Sequence, residues 1–250
     1  MKFMQQLSVV SLLSMAALCA HAESASYVTA AINDPHRPRD PELDARRHPG
    51  ELVEFAQVKP GDVVVDLVPG GGYFTRIFSA IVGPRGHVYA IWPNEYARVD
   101  GDEVRELQAL SKDPHYSNVT VLMQPAAQLV VPMKADLVWI SQNLHDYPDR
   151  FMGSVQPAAL ARSILQSLKP HGLLVVVDHA AEYGSGLRDT ERTHRIDPVL
   201  VKSQVESAGF SFDGESAVLR NSSDTHRLLV FDPKVRGHTD QFAFRFRAPD

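Results

Sequence analysis

Residues 62–76 decide the fold, and they read Asp62-Val63-Val64-Val65-Asp66-Leu67-Val68-Pro69-Gly70-Gly71-Gly72-Tyr73-Phe74-Thr75-Arg76. A β-branched run ends at Asp66, three glycines follow and an amphipathic segment begins at Tyr73, which predicts a strand, a tight turn and a helix. Glycine leaves no Cβ between the backbone and a ligand, and amides at a helix start can hold polar or anionic groups. The pattern therefore favours a cofactor site at the carboxyl end of a strand, with a plain strand–helix turn as the alternative.

Strand-like and helix-like segments alternate after this stretch. Apolar, strand-like runs cover 86–91, 119–123, 135–140 and 173–178. Helical spacing covers 73–82, 101–110, 157–168 and 197–209, and a short helix is predicted over 51–56. Residues 210–219 and 241–247 alternate apolar and polar side chains, as antiparallel strands do. We therefore predict an α/β fold with a doubly wound, mostly parallel sheet and an antiparallel C-terminal edge strand.

Composition is that of an ordinary globular chain. The 250 residues are 44% hydrophobic and 22% charged, and the formal net charge is −5. Such a length suits one domain with a sizeable core. Because the chain has no basic surplus, we predict neither nucleic acid nor an anionic membrane as a partner.

The N-terminus has the pattern of an export signal. Lys2 precedes a largely apolar run over 7–20, and Ala20-His21-Ala22 has the small-x-small form of a cleavage site. The run is too short for a spanning helix, so we predict a signal peptide over residues 1–22 and a periplasmic or secreted protein. An uncleaved amphipathic N-terminus is the alternative. Cys19 is the single cysteine, so the mature chain has no thiol for catalysis, disulfides or metal binding.

The segment between the signal and the domain is polar and contains Pro35, Pro38 and Pro41. Polar, proline-containing segments commonly lack regular structure. We predict an extended, solvated N-terminal arm over residues 23–45, followed by one domain over residues 46–250.

Several stretches have a more specific pattern. They are Val65-Asp66-Leu67-Val68-Pro69-Gly70-Gly71-Gly72-Tyr73, Gln142-Asn143-Leu144-His145-Asp146, Leu168-Lys169-Pro170-His171-Gly172, His194-Arg195-Ile196-Asp197-Pro198 and Arg236-Gly237-His238-Thr239-Asp240-Gln241-Phe242. With the order of strands and helices, they resemble an exported bacterial family of predicted methyltransferases with the class I S-adenosylmethionine-dependent methyltransferase fold. The resemblance spans about residues 45–248. It implies a seven-stranded Rossmann-like sheet, S-adenosylmethionine as the cofactor and a small-molecule substrate.

The resemblance also implies roles for the glycine turn. The motif of this fold reads acid-x-Gly-x-Gly-x-Gly, which Asp66, Gly70 and Gly72 match, while Val68 replaces the first glycine. The glycines would approach the amino-acid end of the cofactor, and Asp66 would anchor the turn or reach the cofactor through water. The predicted cofactor contacts here are Asp66, Gly70, Gly71, Gly72 and Tyr73.

The residue at position 92 differs from the one that is usual at this place in the fold. An acid about twenty residues beyond the glycines usually accepts hydrogen bonds from the ribose hydroxyls, and this chain has Trp92 there. An indole N–H donates only, so it cannot replace that acid. We predict that Trp92 stacks on the adenine; Glu95 could reach the ribose instead, or Trp92 could fill the pocket.

Residues after the fourth and fifth predicted strands are candidates for chemistry. His145 is predicted to be a general base oriented by Asp146, and Asn143 a cofactor contact; capping of the strand end by Asn143 and His145 is the alternative. Asp178 and His179 are expected at the mouth of the cleft.

Two histidines, His179 and His194, are predicted to bind the substrate. With His145 and Asp178 they could form a metal site. Their sequence gaps fit no local metal motif, so no metal is predicted.

Three functions remain open on this basis. The first is an exported S-adenosylmethionine-dependent methyltransferase that acts on an unidentified small molecule. The second is a non-catalytic ligand-binding or interaction protein that retains the fold. The third is a nicotinamide-dependent oxidoreductase, which the chain supports less because it lacks a Tyr-x-x-x-Lys pair and the ribose-binding acid.

Overall fold

The computed structural model describes residues 26–99 and 101–250; the predicted signal peptide, with Cys19, lies outside them. The helices are residues 26–32 (α1), Pro41–Arg47 (α2), Pro49–Ala56 (α3), Tyr73–Val82 (α4), Asn94–Ala97 (α5), Gly101–Leu110 (α6), Pro157–Ser167 (α7), Thr190–Thr193 (α8) and Pro198–Ser207 (α9). The strands are Val63–Leu67 (β1), His87–Pro93 (β2), Val119–Gln124 (β3), Ala135–Ser141 (β4), Leu168–His179 (β5), Ser211–Ser216 (β6) and Gln241–Arg247 (β7).

The strands form one seven-stranded sheet in the order β3-β2-β1-β4-β5-β7-β6. Strands β1 to β5 pair in parallel, and β7 runs antiparallel to both β5 and β6. The predicted doubly wound sheet with an antiparallel C-terminal edge is therefore confirmed. After β3 the chain returns to the other side of β1, so the carboxyl ends of β1 and β4 form the switch point at which open α/β sheets bind ligands.

Burial explains why the central strands could be predicted from the sequence. All five residues of β1 are buried, and so are the apolar residues of β5 from Leu173 to Val177. Parallel strands covered on both faces are continuous apolar runs for this reason. On one face, Phe74 and Phe78 of α4 pack against Trp139 of β4, with ring centroids 4.7 and 5.5 Å apart. The glycine turn is thereby held between a buried strand and a buried helix face.

The predicted extended arm is wrong for the residues described. Residues 26–32 are helical, and Val28 and Ala31 are buried in the core. Helix α2 begins with Pro41 at its first turn, and the side chain of Asp40 accepts a hydrogen bond from Leu43 N at 2.9 Å. An acidic cap followed by proline is a strong helix start, which outweighed the polar composition.

None of the helices within the described ranges is long and apolar enough to cross a membrane.

Candidate active site

A cavity of about 520 Å³ opens at the carboxyl ends of β1 and β4. This volume lies within the range of small-molecule pockets. One wall is the glycine turn with the start of α4, and the facing wall holds residues 141–143, His145 and Asp146 after β4. Residues of the N-terminal segment, from Arg37 to Arg47, form a third side. The switch point of the sheet is therefore a formed site.

Most of the predicted site residues meet in this cavity. The predicted residues that line it are Asp66, Gly70, Gly71, Tyr73, Asn143, His145, Asp146, His179 and His194. Gly72 and Trp92 do not line it. Lining residues that the sequence analysis did not single out include Arg37, Arg47, Tyr96, Glu103, Glu106 and Phe231.

The backbone of the glycine turn is strained at one position. Val68, Gly70 and Gly72 have φ of 56°, 58° and 89°. Only glycine adopts such angles without cost, and a β-branched residue there is a genuine outlier. Val68 thus has a backbone conformation that favours glycine. Hydrogen bonds hold it: Val68 N donates to Ile91 O at 2.9 Å, and Val68 O accepts from Asn143 Nδ2 at 3.2 Å.

We expect Val68→Gly to change the free energy of unfolding by no more than about 1 kcal/mol, because relief of roughly 1–3 kcal/mol of backbone strain offsets the lost burial. Val65→Gly removes an equally buried side chain from unstrained β1 and should cost about 3 kcal/mol. Urea denaturation of both variants measures the difference. Equal destabilisation of the two variants would contradict the strain at Val68.

Gly72 lies against α6 and does not line the cavity. A Cβ on Gly72 would lie 3.0 Å from the Cδ1 atoms of both Leu107 and Leu110 in α6. Gly70 and Gly71 face the cavity, where a Cβ would meet the carboxylates of Glu103 and Glu106, at 3.3 and 2.5 Å. The missing side chain of Gly72 makes room for α6, and its role as a cofactor contact stays a prediction.

Trp92 does not stack in the cavity as predicted. Its side chain is fully buried, and Tyr96 stands between it and the cavity, with ring centroids 5.3 Å apart. Glu95 does not reach the cavity either, since its Oε2 accepts a hydrogen bond from Ala126 N at 2.9 Å. The turn into α5 directs these side chains, and that helix was not predicted from the sequence.

Asp66 anchors the turn from beneath. Its Oδ2 accepts a hydrogen bond from Thr75 Oγ1 at 2.6 Å, and the residue is buried. Burial raises the pKa of Asp66 to about 7, although the Thr75 hydrogen bond and the charge of Arg47 oppose this. Of the two roles expected for Asp66, its contacts therefore support the anchoring of the turn rather than a contact with the cofactor through water.

A cationic cluster surrounds Tyr73. The guanidinium carbons of Arg37 and Arg47 lie 4.7 and 4.5 Å from its ring centroid, and its hydroxyl donates to Asp44 Oδ1 at 2.5 Å. Arg37 pairs with Asp44, whereas Arg47 makes no ion pair within 4.0 Å among the described residues. Burial lowers the pKa of Arg47, but a guanidinium remains a cation. Arg47 is thus a positive charge at the wall of the cavity, near the carboxyl groups of Glu103 and Asp66.

Asn143 ties the two central turns together. Its Nδ2 donates to Val68 O at 3.2 Å and to Ser141 O at 2.7 Å. Gln142, beside it, has a φ of 62° and lines the cavity. Asn143 therefore satisfies backbone groups at the strand ends, as the alternative reading of the sequence proposed, while it also lines the cavity.

The histidines stand at the other end of the cavity. Asp178 accepts hydrogen bonds from His145 Nδ1 and from His145 N, both at 2.8 Å. Asp178 was expected at the mouth of the cleft, but it is fully buried behind His145. The His145 Nε2 atom faces Asp146 Oδ1 and His194 Nδ1, each at 3.3 Å. His179 Nδ1 contacts Thr239 Oγ1 at 2.7 Å.

The pKa values of His145 and His179 are shifted in opposite directions. Burial alone would lower the pKa of His145, but the carboxylates of Asp178, Asp146 and Asp149 outweigh it and raise the pKa to about 9. Burial and the neighbouring His145 hold the pKa of His179 well below its usual value. These carboxylates favour the protonated form of His145, which disfavours the general-base role predicted for it.

Solved structures with the same architecture include methyltransferases and a cyclase. A methyltransferase from Aquifex aeolicus covers 83% of this chain and 93% of its own, with a TM-score of 0.59 and 18% identity. The [4+2]-cyclase SpnF covers 86% and 85%, with a TM-score of 0.61 and 17% identity. The N-methyltransferase NodS from Bradyrhizobium japonicum, in complex with S-adenosylhomocysteine, covers 91% and 99%, with a TM-score of 0.58 and 15% identity.

The chain has the class I S-adenosylmethionine-dependent methyltransferase fold.

Curated sequence relatives are also methyltransferases. The ubiquinone/menaquinone biosynthesis C-methyltransferase UbiE of Ectopseudomonas mendocina is 27% identical over 192 residues, which are 76% of this chain and 64% of that protein. The protein-L-isoaspartate O-methyltransferase of Ignicoccus hospitalis is 29% identical over 126 residues, 50% of this chain and 51% of that protein. The chain thus spans about half to two thirds of the length of these relatives. No protein-family model matches it.

Proposed function

We propose that this chain binds S-adenosylmethionine and transfers its methyl group to a small molecule. The observation that carries the proposal is one cavity at the switch point, with the glycine turn on one wall and the histidine cluster on the other. The methyltransferase fold, the methyltransferase relatives and the NodS complex with S-adenosylhomocysteine support it. That the protein works outside the cytoplasm is part of the proposal and rests on the predicted signal peptide.

The residues present suit such a cofactor. Gly70 and Gly71 line the cavity without side chains beside the start of α4, where the helix dipole favours an anionic group. Arg47 adds a positive charge for a carboxylate. Glu103 and Glu106 bring acidic oxygens to the same wall, which suit hydroxyl and ammonium groups. When bound, the cofactor supplies an electrophilic methyl group.

The chain's own contribution is chiefly positioning. Asp178 fixes the ring of His145, and the Nε2 atom of that ring and the His194 ring face the cavity as hydrogen-bonding groups for a polar substrate. Val230 and Phe231 add an apolar surface beside them. Holding two reactants in line lowers the barrier of a substitution without further chemistry from the protein.

We expect Arg47→Gln to weaken S-adenosylhomocysteine binding by about 10–100-fold, because a charged hydrogen bond is worth about 1.5–3 kcal/mol. Isothermal titration calorimetry measures the change. Arg46→Gln is the matched control, since it removes the same charge from an exposed position of α2 and should leave the affinity unchanged. Equal affinities of the two variants would remove Arg47 from the cofactor site.

A non-catalytic binding protein is the second candidate. The absence of an acid at position 92 favours it, since the ribose contact usual for this fold is missing. Such a protein would bind the cofactor or another ligand in the same cavity but would not convert S-adenosylmethionine to S-adenosylhomocysteine with any acceptor. Incubation with acceptor mixtures, followed by mass spectrometry for S-adenosylhomocysteine, separates the two candidates.

A further inference from the structure

Three side chains in the cavity bring potential metal ligands together. His145 Nε2 lies 3.3 Å from Asp146 Oδ1 and 3.3 Å from His194 Nδ1, and these last two atoms are 3.6 Å apart. The three atoms form a nearly equilateral triangle. Two ligands about 2.1 Å from a tetrahedral ion are separated by about 3.4 Å, so this triangle has the size that one ion requires.

We propose that His145, Asp146 and His194 bind a divalent transition-metal ion. Two imidazoles and one carboxylate favour a first-row transition ion such as Zn²⁺ or Fe²⁺ over Mg²⁺ or Ca²⁺, which prefer oxygen ligands. All three side chains line the cavity, so the remaining coordination positions face its interior. Three protein ligands with an open position are typical of catalytic rather than structural sites.

The supporting contacts fix the ligands in place. Asp178 lies 2.8 Å from His145 Nδ1, so Nε2 is the ring nitrogen that a metal ion would bind in place of a proton, the arrangement of a carboxylate–histidine–metal triad. His194 has a left-handed backbone, with φ 53°, and its N donates to Thr190 O at 3.0 Å. Its ring also packs against Phe231, with centroids 5.2 Å apart. The protein therefore holds the three ligands before an ion arrives.

The chain path explains why sequence spacing did not predict this site. His194 lies fifteen residues after the end of β5. The segment folds back, so that Ile196 N donates a hydrogen bond to His179 O at 3.0 Å. A parallel bridge between Ala180 and Ile196 closes that loop. Ligands on separate loops leave no local motif, so no metal could be predicted from their spacing.

An open coordination position offers a place for a substrate oxygen. A hydroxyl or carboxylate oxygen bound there would be oriented at the end of the cavity opposite the glycine turn. This use of the ion rests on the proposed function, whereas the binding of the ion does not. A test without cofactor or substrate therefore separates the two proposals.

The test is a titration of the chelator-stripped, dialysed protein with Zn²⁺, followed by calorimetry and metal analysis. We expect one Zn²⁺ per chain, and binding at least about 100-fold weaker in His194→Ala and Asp146→Asn. His115→Ala is the matched control, because it removes a histidine that pairs with an aspartate, Asp34, outside the cavity. That variant should retain the cavity site.

Retained folding is checked in each variant by circular dichroism. His194 is partly exposed and Asp146→Asn preserves shape, so these variants spare the buried His145–Asp178 pair. Saturating Zn²⁺ should also raise the Tm of the wild-type chain and of His115→Ala, but not of His194→Ala. Failure of the wild-type chain to bind Zn²⁺ or Fe²⁺, or equal binding by His194→Ala, would overturn the proposal, even if S-adenosylhomocysteine binds normally.

Discussion

Replacing Arg195 with alanine is expected to lower the free energy of unfolding by about 3–5 kcal/mol, because it leaves a buried carboxylate without its partner. Arg195 is fully buried, and its Nη1 lies 2.9 Å from Asp224 Oδ2. The same guanidinium donates to Ala180 O and Leu228 O, both at 3.0 Å. Ala180 directly follows β5, and Leu228 lies in the insert over residues 217–240 between β6 and β7, so one side chain joins the two.

The control for this effect is Arg192→Ala. Arg192 also pairs with an aspartate, Asp189, but its side chain is 67% exposed, so its loss should cost less than about 1 kcal/mol. Urea denaturation of both variants gives the comparison. A loss in Arg195→Ala no larger than in Arg192→Ala would show that the buried pair does not stabilise the insert, whose Val230 and Phe231 line the cavity.

Asp66→Asn is expected to stabilise the protein at neutral pH by as much as about 4 kcal/mol. Burial raises the pKa of Asp66 from 3.8 to about 7. Between these values the unfolded chain releases the proton while the folded chain keeps it, so wild-type stability falls as the pH rises from about 4 to 7. Each pH unit is worth about 1.4 kcal/mol, and the asparagine variant lacks this loss. The charge of Arg47 limits the effect.

The measurement is the difference in free energy of unfolding between Asp66→Asn and wild type from pH 4 to pH 8. It should grow with pH. Asp213→Asn provides a control of opposite sign, because Arg247 and Arg245 lower the pKa of Asp213 against the effect of its partial burial. Asp213→Asn should therefore lose stability relative to wild type as the pH rises through the usual pKa range of an aspartate. A pH-independent difference for Asp66→Asn would contradict the buried, protonated carboxyl.

The segments that could be predicted are those in which local pattern and burial agree. The strand before the glycine turn, the helix after it and the run ending at Asp178 are continuous or periodic apolar segments, and the structure places them as expected. Gly101–Leu110 matches its predicted bounds because three buried residues, Val104, Leu107 and Leu110, recur at helical spacing.

The features that could not be predicted depend on the direction in which a side chain points or on how a loop folds back against the sheet. The sequence places Trp92 at the end of a strand, but only the turn into α5 decides that its ring faces the core and that Tyr96 faces the cavity. Arg47 reaches the site because Asp40 begins a helix in a segment whose composition is that of a solvated arm. His194 joins His145 only through the fold-back of residues 180–196.

Part of the strained backbone lies at this site. Of the eight non-glycine residues with positive φ in the described part of the chain, Val68, Gln142 and His194 line the cavity. Residues in such conformations persist only where surrounding contacts over-determine them, and they cluster at functional sites. The glycine turn, the end of β4 and the loop after β5 therefore converge on one site by geometry, burial and strain alike.

Calorimetric titration of the purified protein with S-adenosylhomocysteine tests the central claim most directly. We predict one site per chain with a Kd on the order of micromolar, as moderate burial and one charged contact would give. Binding of this strength, lost in part in Arg47→Gln and kept in Arg46→Gln, is the predicted result. A folded sample that produces no binding heat at millimolar ligand would contradict the account of this cavity as an S-adenosylmethionine site.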